Sequence, residues 1–288
     1  MQGLIEIPIE PLRTLGEGRS GVVYEVEHPE RRGRYALKVF ARLGDDALAR
    51  MKADFDALTK VAHPNLVKLL DFRAESGRAR LLMELVSGLD FVHFCRGEAV
   101  EEDEREHLFF GQVVQPLGRS AFATMDDEGA FLRLRRALSD VASGLAALHA
   151  NDRIHGDVRP SNVLVEPNGR ALLLDLLSEH APSSPERFAG TAAYMAPEHG
   201  QGMVAGPATD MYSLGVLLFE AITGELPFVG SGREIFIRKN TVSAPRPSLL
   251  LPQVPADLDE LTFRLLDRRP AARPTADEVV AKLSTSLG

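Results

Sequence analysis

The chain has 288 residues, of which 44% are hydrophobic, so it can bury a substantial core and does not have the composition of a disordered protein. Its formal net charge of -8 argues against a surface for nucleic acids or anionic membranes, since both require a basic face. The single cysteine, Cys95, excludes an internal disulfide, and no apolar run is long enough to span a bilayer. The opening residues lack a secretion signal, so we expect a cytoplasmic protein that binds neither nucleic acid nor membrane.

The first part of the chain is rich in predicted strands. Short runs of β-branched and aromatic residues predict strands over residues 22–26, 35–40, 66–72 and 80–85. One helix is predicted over residues 45–61, and it ends before Pro64 because the residue that precedes a proline disfavours the α conformation. This part therefore resembles a small sheet with one helix.

The second part of the chain is predicted to be helical. Apolar residues recur at a helical period over residues 132–150, and two further helices are predicted over residues 209–223 and 275–283. The intervening residues 97–129 contain an acidic run and several glycines, and we interpret them as an insertion. Its acidic residues fit a solvated surface, with a regulatory or partner-binding segment as the alternative. Strands followed by helices predict an α+β fold.

A glycine-rich segment leads into the second predicted strand. Gly16, Gly18 and Gly21 follow the pattern G-x-G-x-x-G, and glycine allows backbone N–H groups to approach a phosphate closely. A plain hairpin turn explains the same glycines without a ligand. A dinucleotide-binding fold would require a helix directly after Gly21, whereas Val22 and Val23 are typical of a strand.

Lys38 lies at the centre of the next apolar strand, where a charge needs an explanation. A lysine that protects an exposed sheet edge is one explanation, and a cation for the phosphates of a nucleotide is the other. Together with the glycine-rich segment, Lys38 resembles the glycine-rich loop and third-strand lysine of protein kinases.

The segment His155-Gly156-Asp157-Val158-Arg159-Pro160-Ser161-Asn162 resembles the catalytic loop H-R-D-L-K-P-x-N of the same family. The resemblance implies that Asp157 accepts the proton of the substrate hydroxyl and that Asn162 holds a magnesium ion. It also implies that Arg159 supplies the positive charge that a lysine usually brings to the γ-phosphate. A polar turn after a helix would explain one of these residues, but not their order.

Two later segments extend the resemblance. Asp175 ends an apolar strand thirteen residues after Asn162, which matches the magnesium-binding aspartate of the D-F-G motif. Residues 190–198 resemble the end of the activation segment of serine/threonine kinases, and Thr191 implies a serine or threonine acceptor rather than a tyrosine. Asp210 is implied to brace the catalytic loop. Glu198 and Arg273 are implied to form a buried ion pair.

The resemblance covers about residues 12–284 and implies a two-lobed protein-kinase fold, with residues 1–86 as the N-lobe and 87–288 as the C-lobe. It implies ATP and Mg²⁺ as cofactors and a protein substrate with a serine or threonine hydroxyl, which can be the chain itself. The stretch from Leu145 to Asn162 and its neighbours resembles bacterial kinase domains found at the N-terminus of long multidomain proteins, so further domains are expected partners. The residues implied to bind the nucleotide are Leu15, Gly16, Glu17, Gly18, Gly21, Val23, Ala36, Lys38, Met83, Glu84, Val86, Asp90 and Leu164.

Some of these positions have an ordinary structural explanation as well. Val23, Ala36 and Leu164 are apolar, and packing in an ordinary hydrophobic core explains them equally well. The resemblance also implies a stack of side chains that links the two lobes, and His155 is expected to pack in this stack rather than act as a base. The members of the stack are Leu58, Leu69, His155 and Leu176.

Asp54 departs from the family pattern. It stands nine residues before His63, where the family has a glutamate that pairs with the third-strand lysine. An aspartate carboxylate reaches roughly 1.3 Å less far towards Lys38, so the pair requires the helix to move inward.

Two further departures concern control of activity. Gly156 replaces the arginine that binds a phosphate on the activation segment, so basal activity is not expected to depend on phosphorylation of that segment through this site. The candidate phosphorylation sites are Ser178, Ser183, Ser184 and Thr191. Leu177 replaces the glycine of D-F-G, and leucine disfavours positive φ angles.

These departures leave two functions open. The first is phosphoryl transfer by Lys38, Asp157, Asn162 and Asp175. The second is a pseudokinase, a nucleotide-sensing or scaffolding module with little catalysis. A kinase for small molecules is disfavoured, because residues 190–198 resemble a platform for a protein substrate.

Overall fold

The computed structural model describes residues 11–18, 20–75, 77–97, 128–177 and 192–286. Within these ranges the chain forms eight strands and seven α-helices, which confirms the predicted α+β class. None of the helices in the described ranges combines the length and the hydropathy that crossing a bilayer requires.

The first part of the chain folds into a five-stranded antiparallel sheet with the order β1-β2-β3-β5-β4. Its strands are β1 (Pro11–Gly18), β2 (Gly21–Glu27), β3 (Arg34–Phe40), β4 (Leu69–Glu75) and β5 (Arg78–Glu84). Helix α1 (Asp45–Leu58) packs against β4, where the rings of Phe55 and Phe72 stack with centroids 5.7 Å apart. The four strands predicted here are confirmed, with β4 displaced towards the C-terminus, and α1 ends three residues earlier than predicted.

A second sheet joins the two parts of the chain. It contains β6 (Leu89–Asp90), β7 (Val163–Val165) and β8 (Ala171–Leu173), paired antiparallel in that order. The segment before β4 also reaches this sheet, because the Val67 N–H donates to the Leu173 carbonyl at 2.9 Å and the Leu173 N–H to the Asn65 carbonyl at 2.9 Å. These bonds place the end of β8 directly beside the first sheet.

The remaining helices build the second part of the fold. They are α2 (Phe91–Arg96), α3 (Glu128–His149), α4 (Pro207–Thr223), α5 (Gly232–Thr241), α6 (Ala256–Leu265) and α7 (Ala276–Thr285). The predicted apolar face of α3 is confirmed, since Leu134, Leu138 and Leu145 are fully buried. Of the predicted insertion, residues 98–127 lie outside the described residues, and α3 begins at Glu128.

The largest hydrophobic cluster runs through both parts of the chain. It contains Leu58 and Leu69 from the first part and has Leu176 packed against it, while His155 is also buried. A second cluster, built on Ala192, Tyr212 and Phe236, lies beneath residues 192–198. The site described below lies where the first sheet meets the second.

Candidate active site

Lys38 and Asp175 meet across the junction of the two sheets. Lys38 Nζ, on β3, lies 2.5 Å from Asp175 Oδ1, and the two side chains are 3% and 14% exposed. The contact satisfies the charge of the buried lysine, and a charge left unsatisfied in a protein interior is strongly unfavourable. The contact joins residues that are 137 positions apart in the chain and brings the predicted phosphate-binding and metal-binding residues together.

The Asp157 carboxylate is held by its own loop. Asn162 Nδ2 donates to Asp157 Oδ2 at 2.8 Å and to the Asp157 carbonyl at 2.8 Å. Arg159 Nε lies 3.8 Å from Asp157 Oδ2 and donates to Ser161 Oγ at 2.8 Å. The structure therefore brings three of the predicted functional side chains, Asp157, Arg159 and Asn162, into one cluster.

Asp210, at the start of α4, fixes the backbone that leads into Asp157. Its carboxylate accepts from the His155 N–H at 2.8 Å and the Gly156 N–H at 2.7 Å. His149 Nε2 lies 2.8 Å from the same carboxylate, whose side chain is 1% exposed. A buried carboxylate with several donors is rigidly placed, so Asp210 has the geometry predicted for a brace of the catalytic loop.

The loop that carries Asp157 is also tied to the strand that leads into Asp175. His155 Nε2 lies 2.7 Å from the Leu174 carbonyl oxygen, and the Leu174 N–H donates to the Asn162 carbonyl at 2.9 Å. These contacts fix the backbone that carries the Asp157 carboxylate relative to the backbone that carries the Asp175 carboxylate. They agree with a packing role for His155 rather than a role as a base.

The glycine-rich segment forms the hairpin between β1 and β2, in which Gly18 pairs with Gly21. Gly21 has a φ angle of 136°, and a Cβ atom at this position would lie 1.9 Å from the Val39 carbonyl oxygen. Gly21 is therefore required by the close approach of β3. Gly16 and Glu17 face Val23 and Val22 across the same hairpin.

The apolar side chains implied to bind the nucleotide lie in one hydrophobic cluster. Leu15, Val23 and Ala36 from the first sheet belong to the same cluster as Leu164 of β7. Met83 and Val86 are in this cluster as well, and Met83 pairs with Ala36 across β3 and β5. Glu84 is bound to the residue just before β4, since its N–H donates to the Lys68 carbonyl at 3.0 Å and its carboxylate accepts from the Lys68 N–H at 2.7 Å.

Asp90 was implied to bind the nucleotide, but the structure engages its carboxylate within the protein. Asp90 is 4% exposed and caps α2, with Oδ1 accepting from the Val92 N–H at 3.0 Å and the His93 N–H at 3.2 Å. Its second oxygen contacts His93 Nδ1. Both carboxylate oxygens are engaged within the protein, so Asp90 stabilises the start of a helix.

The predicted pair between Asp54 and Lys38 is absent from the structure. Asp54 Oδ1 instead lies 2.5 Å from Arg153 Nη1, and these side chains are 43% and 36% exposed. The short aspartate side chain leaves its carboxylate at the surface of α1, where Arg153 reaches it, while Asp175 pairs with Lys38. The expectation that Asp54 belongs to the lysine site is therefore wrong for this conformation.

The other two departures from the family pattern, Gly156 and Leu177, are compatible with the backbone conformation at their positions. Gly156 has a φ angle of 76°, a left-handed conformation that would cost a larger residue roughly 1–2 kcal/mol. In the segment after β8 it is Asp175, with a φ angle of 52°, that takes the positive value, and Leu177 does not. Leu177 is 2% exposed and packs in the main hydrophobic cluster, so leucine is accommodated there.

Residues 192–198 form the described end of the segment that resembles an activation segment. Arg273 Nη1 and Nη2 lie 2.6 and 2.8 Å from the two oxygens of Glu198, and this confirms the predicted buried pair. Tyr194 Oη donates to Glu220 Oε2 at 2.5 Å. Thr191 and the three candidate phosphoserines lie outside the described residues.

The sequence did not indicate one further residue of this region. Lys239, in the last turn of α5, is fully buried and donates to the backbone carbonyls of Ala192, Ala193 and Met195. A lysine near the end of a helix is an ordinary surface feature, because cations there interact favourably with the helix dipole. Only the tertiary structure distinguishes Lys239 from such a residue.

Glu220 leads to a prediction on pH and stability. Burial raises the pKa of Glu220 to about 7 from an ordinary value of 4.5, although the hydrogen bond from Tyr194 opposes the shift. Because the pKa of Glu220 is higher in the folded than in the unfolded state, the stability that protonated Glu220 contributes is fully present below pH 4.5. This contribution is lost as the pH rises towards 7. The loss amounts to about 3 kcal/mol at most.

We expect Glu220→Gln to remove this part of the pH dependence, because glutamine does not titrate. The free energy of unfolding in urea, measured at pH 5 and pH 8, should fall more between these values in the native chain than in the variant. An equal fall in both proteins would show that Glu220 titrates normally.

The oxygen atoms of the cluster fit a magnesium ion. Mg²⁺ prefers carboxylate and carbonyl oxygens, and usually takes one or two protein ligands together with phosphate oxygens. The Asn162 side-chain nitrogen donates to Asp157, so the side-chain oxygen Oδ1 is the atom of Asn162 that can coordinate a cation. The Asp175 carboxylate, bound to Lys38, can supply the second ligand beside a positive charge that suits a phosphate.

Comparison with known proteins identifies the class. Residues 9–283 match the protein kinase domain, so the chain belongs to the protein kinase family. The resemblance that the motifs indicated is confirmed, and with it the two-lobed fold. Proteins of this family use ATP, and typically Mg²⁺, in transferring phosphate.

Within the protein kinase family, the chain is similar to serine/threonine-protein kinases. The chain is 30% identical to the serine/threonine-protein kinase PknA of Mycobacterium tuberculosis, with 93% of this chain and 60% of PknA covered. It is 29% identical to PkaA of Streptomyces coelicolor, covering 93% of this chain and 48% of PkaA. The kinase domain of Mycobacterium tuberculosis PknI shares the fold with a TM-score of 0.67 at 22% identity, over 98% of this chain and 96% of that domain. The chain spans about half the length of several of the curated relatives that it matches.

Proposed function

We propose that this chain transfers the γ-phosphoryl group of ATP to serine or threonine hydroxyls of proteins, including possible acceptors on the chain itself. The observation that carries the proposal is the assembly of Lys38 with Asp175, and of Asp157 with Asn162, at the junction of the two sheets. These four residues supply the phosphate-binding cation, the metal ligands and the base that the reaction requires.

In this proposal, Asp157 orients the acceptor hydroxyl and accepts its proton as the hydroxyl oxygen bonds to the γ-phosphorus and the bond to ADP breaks. Asn162 and Arg159 hold the Asp157 carboxylate in one orientation, at 2.8 and 3.8 Å. Asp210 fixes the backbone on the N-terminal side of Asp157 through the His155 and Gly156 N–H groups. Positioning of this kind supplies much of the catalysis in phosphoryl transfer.

Lys38 would bind the α- and β-phosphates, and Arg159 would approach the γ-phosphate. When bound, magnesium neutralises charge on the phosphates, and Asn162 and Asp175 are the residues proposed to hold it. Lys38 contacts Asp175 at 2.5 Å, so the lysine and the metal ligand are already placed beside each other. We propose Leu15, Gly16, Glu17, Gly18, Gly21, Val23, Ala36, Met83, Glu84, Val86 and Leu164 as the remainder of the nucleotide site.

The acceptor class can be tested with three peptides that differ only in carrying serine, threonine or tyrosine. We expect phosphate from labelled ATP on the serine and threonine peptides in the presence of Mg²⁺, and little on the tyrosine peptide. Transfer to tyrosine alone, or transfer that does not require a divalent cation, would contradict the proposal.

Asp54 provides a second test, because the structure separates it from Lys38. Exposed ion pairs such as Asp54 with Arg153 contribute about 0.2–1 kcal/mol, so we expect Asp54→Ala to keep kcat/KM within about fivefold of the native chain. Lys38→Met, which removes a charge that binds phosphate, should lower kcat/KM by about 10²-fold or more. Steady-state kinetics of the two variants test whether Asp54 acts with Lys38. An equal loss of kcat/KM in both variants would mean that Asp54 pairs with Lys38 during turnover.

Since the chain spans about half the length of several relatives, we propose that further domains select its substrates and control its activity. The cytoplasm is the compartment that we propose, because it supplies ATP and Mg²⁺.

A further inference from the structure

Lys239 is a lysine with 0% of its surface exposed, on a helix far along the chain from the catalytic loop. Its ammonium group donates to three backbone carbonyls, those of Ala192 at 2.9 Å, Ala193 at 2.6 Å and Met195 at 2.6 Å. The same nitrogen lies 5.1 Å from the centroid of the Tyr212 ring, a distance typical of a cation–π contact. Lysine is almost never buried to this degree unless its charge is satisfied, and here the backbone satisfies it.

The one remaining carbonyl of the segment is held as well. Ser213 Oγ, on α4, donates to the Tyr194 carbonyl at 2.9 Å. All four consecutive carbonyls of residues 192–195 thus accept hydrogen bonds from the side chains of Lys239 and Ser213. The segment is neither helix nor strand, so these side-chain donors take the place of a regular backbone ladder.

Lys239 is suited to this task by its three N–H donors. A neutral amine would offer two, and the third carbonyl would face a lone pair. Burial lowers the pKa of Lys239 to about 7, and the nearby Glu198 opposes this shift. The three carbonyl oxygens also favour the protonated form, because they accept hydrogen bonds and donate none.

The position of residues 192–195 in the chain suggests what the hydrogen bonds of Lys239 do. Residues 192–195 are followed, after Ala196, by Pro197 and Glu198, and Glu198 is fixed by Arg273. In the proposed function, this stretch is the platform for a protein substrate beside the acceptor residue. None of the residues assigned to the nucleotide site contacts Lys239 within the described part of the chain.

We propose that Lys239 is a positioning residue for the protein substrate: its buried ammonium sets the shape of residues 192–195, against which an extended stretch of substrate lies. The inference rests on the proposed function, because it concerns the substrate of that same site. Lys239 does not touch the reacting atoms. It acts through the backbone of the platform.

The test compares Lys239→Met with Arg238→Met, a matched control at the neighbouring exposed position of α5. Methionine keeps an unbranched chain but donates nothing to the three carbonyls. We expect Lys239→Met to raise KM for a serine peptide by about tenfold or more, with KM for ATP within about twofold of the native value. The control should leave both constants unchanged. A KM for the peptide equal to that of the control would overturn the proposal.

A graded variant separates hydrogen bonding from packing and is available if the methionine variant does not fold. Lys239→Gln retains an amide with two N–H donors, so we expect a peptide KM between those of the native chain and Lys239→Met. In the absence of folded Lys239→Met, a peptide KM for Lys239→Gln equal to that of Arg238→Met would overturn the proposal. Equal values for the glutamine and methionine variants would assign Lys239 a packing role and would also overturn it.

A measurement without turnover keeps this inference distinct from the proposed function. Amide hydrogen exchange of the peptide that covers residues 192–196 should be about tenfold faster in Lys239→Met, or in Lys239→Gln to a smaller extent, than in Arg238→Met. If the native chain transfers no phosphate, the proposed function fails, while faster exchange would still support Lys239 as the residue that shapes this segment. Unchanged exchange would refute that role whatever the activity.

Discussion

Replacing Asp157 with asparagine is expected to lower kcat for phosphoryl transfer by about 10²- to 10⁴-fold, the usual contribution of a general base. The asparagine amide can occupy the same space but cannot accept the proton of the hydroxyl. The effect should fall on kcat, because the Asp157 carboxylate contacts Asn162 and Arg159 of its own loop and is not assigned to the nucleotide site. KM for ATP should remain within about twofold of the native value.

The control for this experiment is Asp152→Asn, at an exposed aspartate on the same loop. Asp152 has a φ angle of 54°, a conformation that asparagine also tolerates, so the control should fold and turn over normally. Steady-state rates at saturating ATP and peptide provide the comparison. If Asp157→Asn retains more than about one tenth of the native kcat, Asp157 is not the base.

The second large effect is expected on stability. Arg273→Met should lower the free energy of unfolding by about 3–5 kcal/mol, because it leaves the Glu198 carboxylate buried without its partner. The Arg273 and Glu198 side chains are 0% and 5% exposed. Arg273 also donates to the Asp267 and Ala208 carbonyls, each at 2.7 Å, which would lose their donor too. Urea unfolding at pH 7 measures the loss.

Two comparisons separate the buried charge from loss of the side chain. Arg269→Met, which removes an exposed arginine from its pair with Asp267, should leave stability almost unchanged. Adding Glu198→Gln to Arg273→Met removes the unpaired charge and should recover part of the loss. If Arg273→Met and Arg269→Met unfold at the same urea concentration, the Glu198 pair does not stabilise the fold as described.

Most of the fold was predictable because its signals are local. The strands and helices follow from periodicity over a few residues, and the glycine-rich segment and the catalytic loop are contiguous in the sequence. Glu198 and Arg273 were predictable through resemblance, although 75 residues separate them. Their burial then follows from the cost of leaving such charges unpaired.

The parts that the sequence did not predict depend on where side chains meet in three dimensions. Asp54 stands at the position of a partner for Lys38, but its orientation towards Arg153 depends on the packing of α1. Asp90 has a carboxylate that could accept from a nucleotide, yet it directly precedes α2 and caps that helix. Lys239 gives no local signal at all, since its three acceptors lie 44 to 47 residues away in the chain.

Asp175 is a further residue whose contacts could not be predicted from the sequence. Its carboxylate and its place after an apolar strand indicated a metal ligand, whereas its direct contact with Lys38 could only come from the structure. Leucine at position 177 is compatible with the fold, because its φ angle is not positive and its side chain packs in the main hydrophobic cluster. A departure from a family pattern therefore need not impair the fold when the backbone at that position does not require the usual residue.

The most direct test of the proposed kinase function is incorporation of labelled γ-phosphate from ATP into a serine-containing protein substrate by the native chain and by Asp157→Asn, each with Mg²⁺ and with a chelator. We expect incorporation by the native chain with Mg²⁺, and almost none in the other three reactions. If ATP raises the melting temperature of the native chain but no phosphate is transferred under any condition, the site binds nucleotide without catalysis, and the proposed kinase function is wrong.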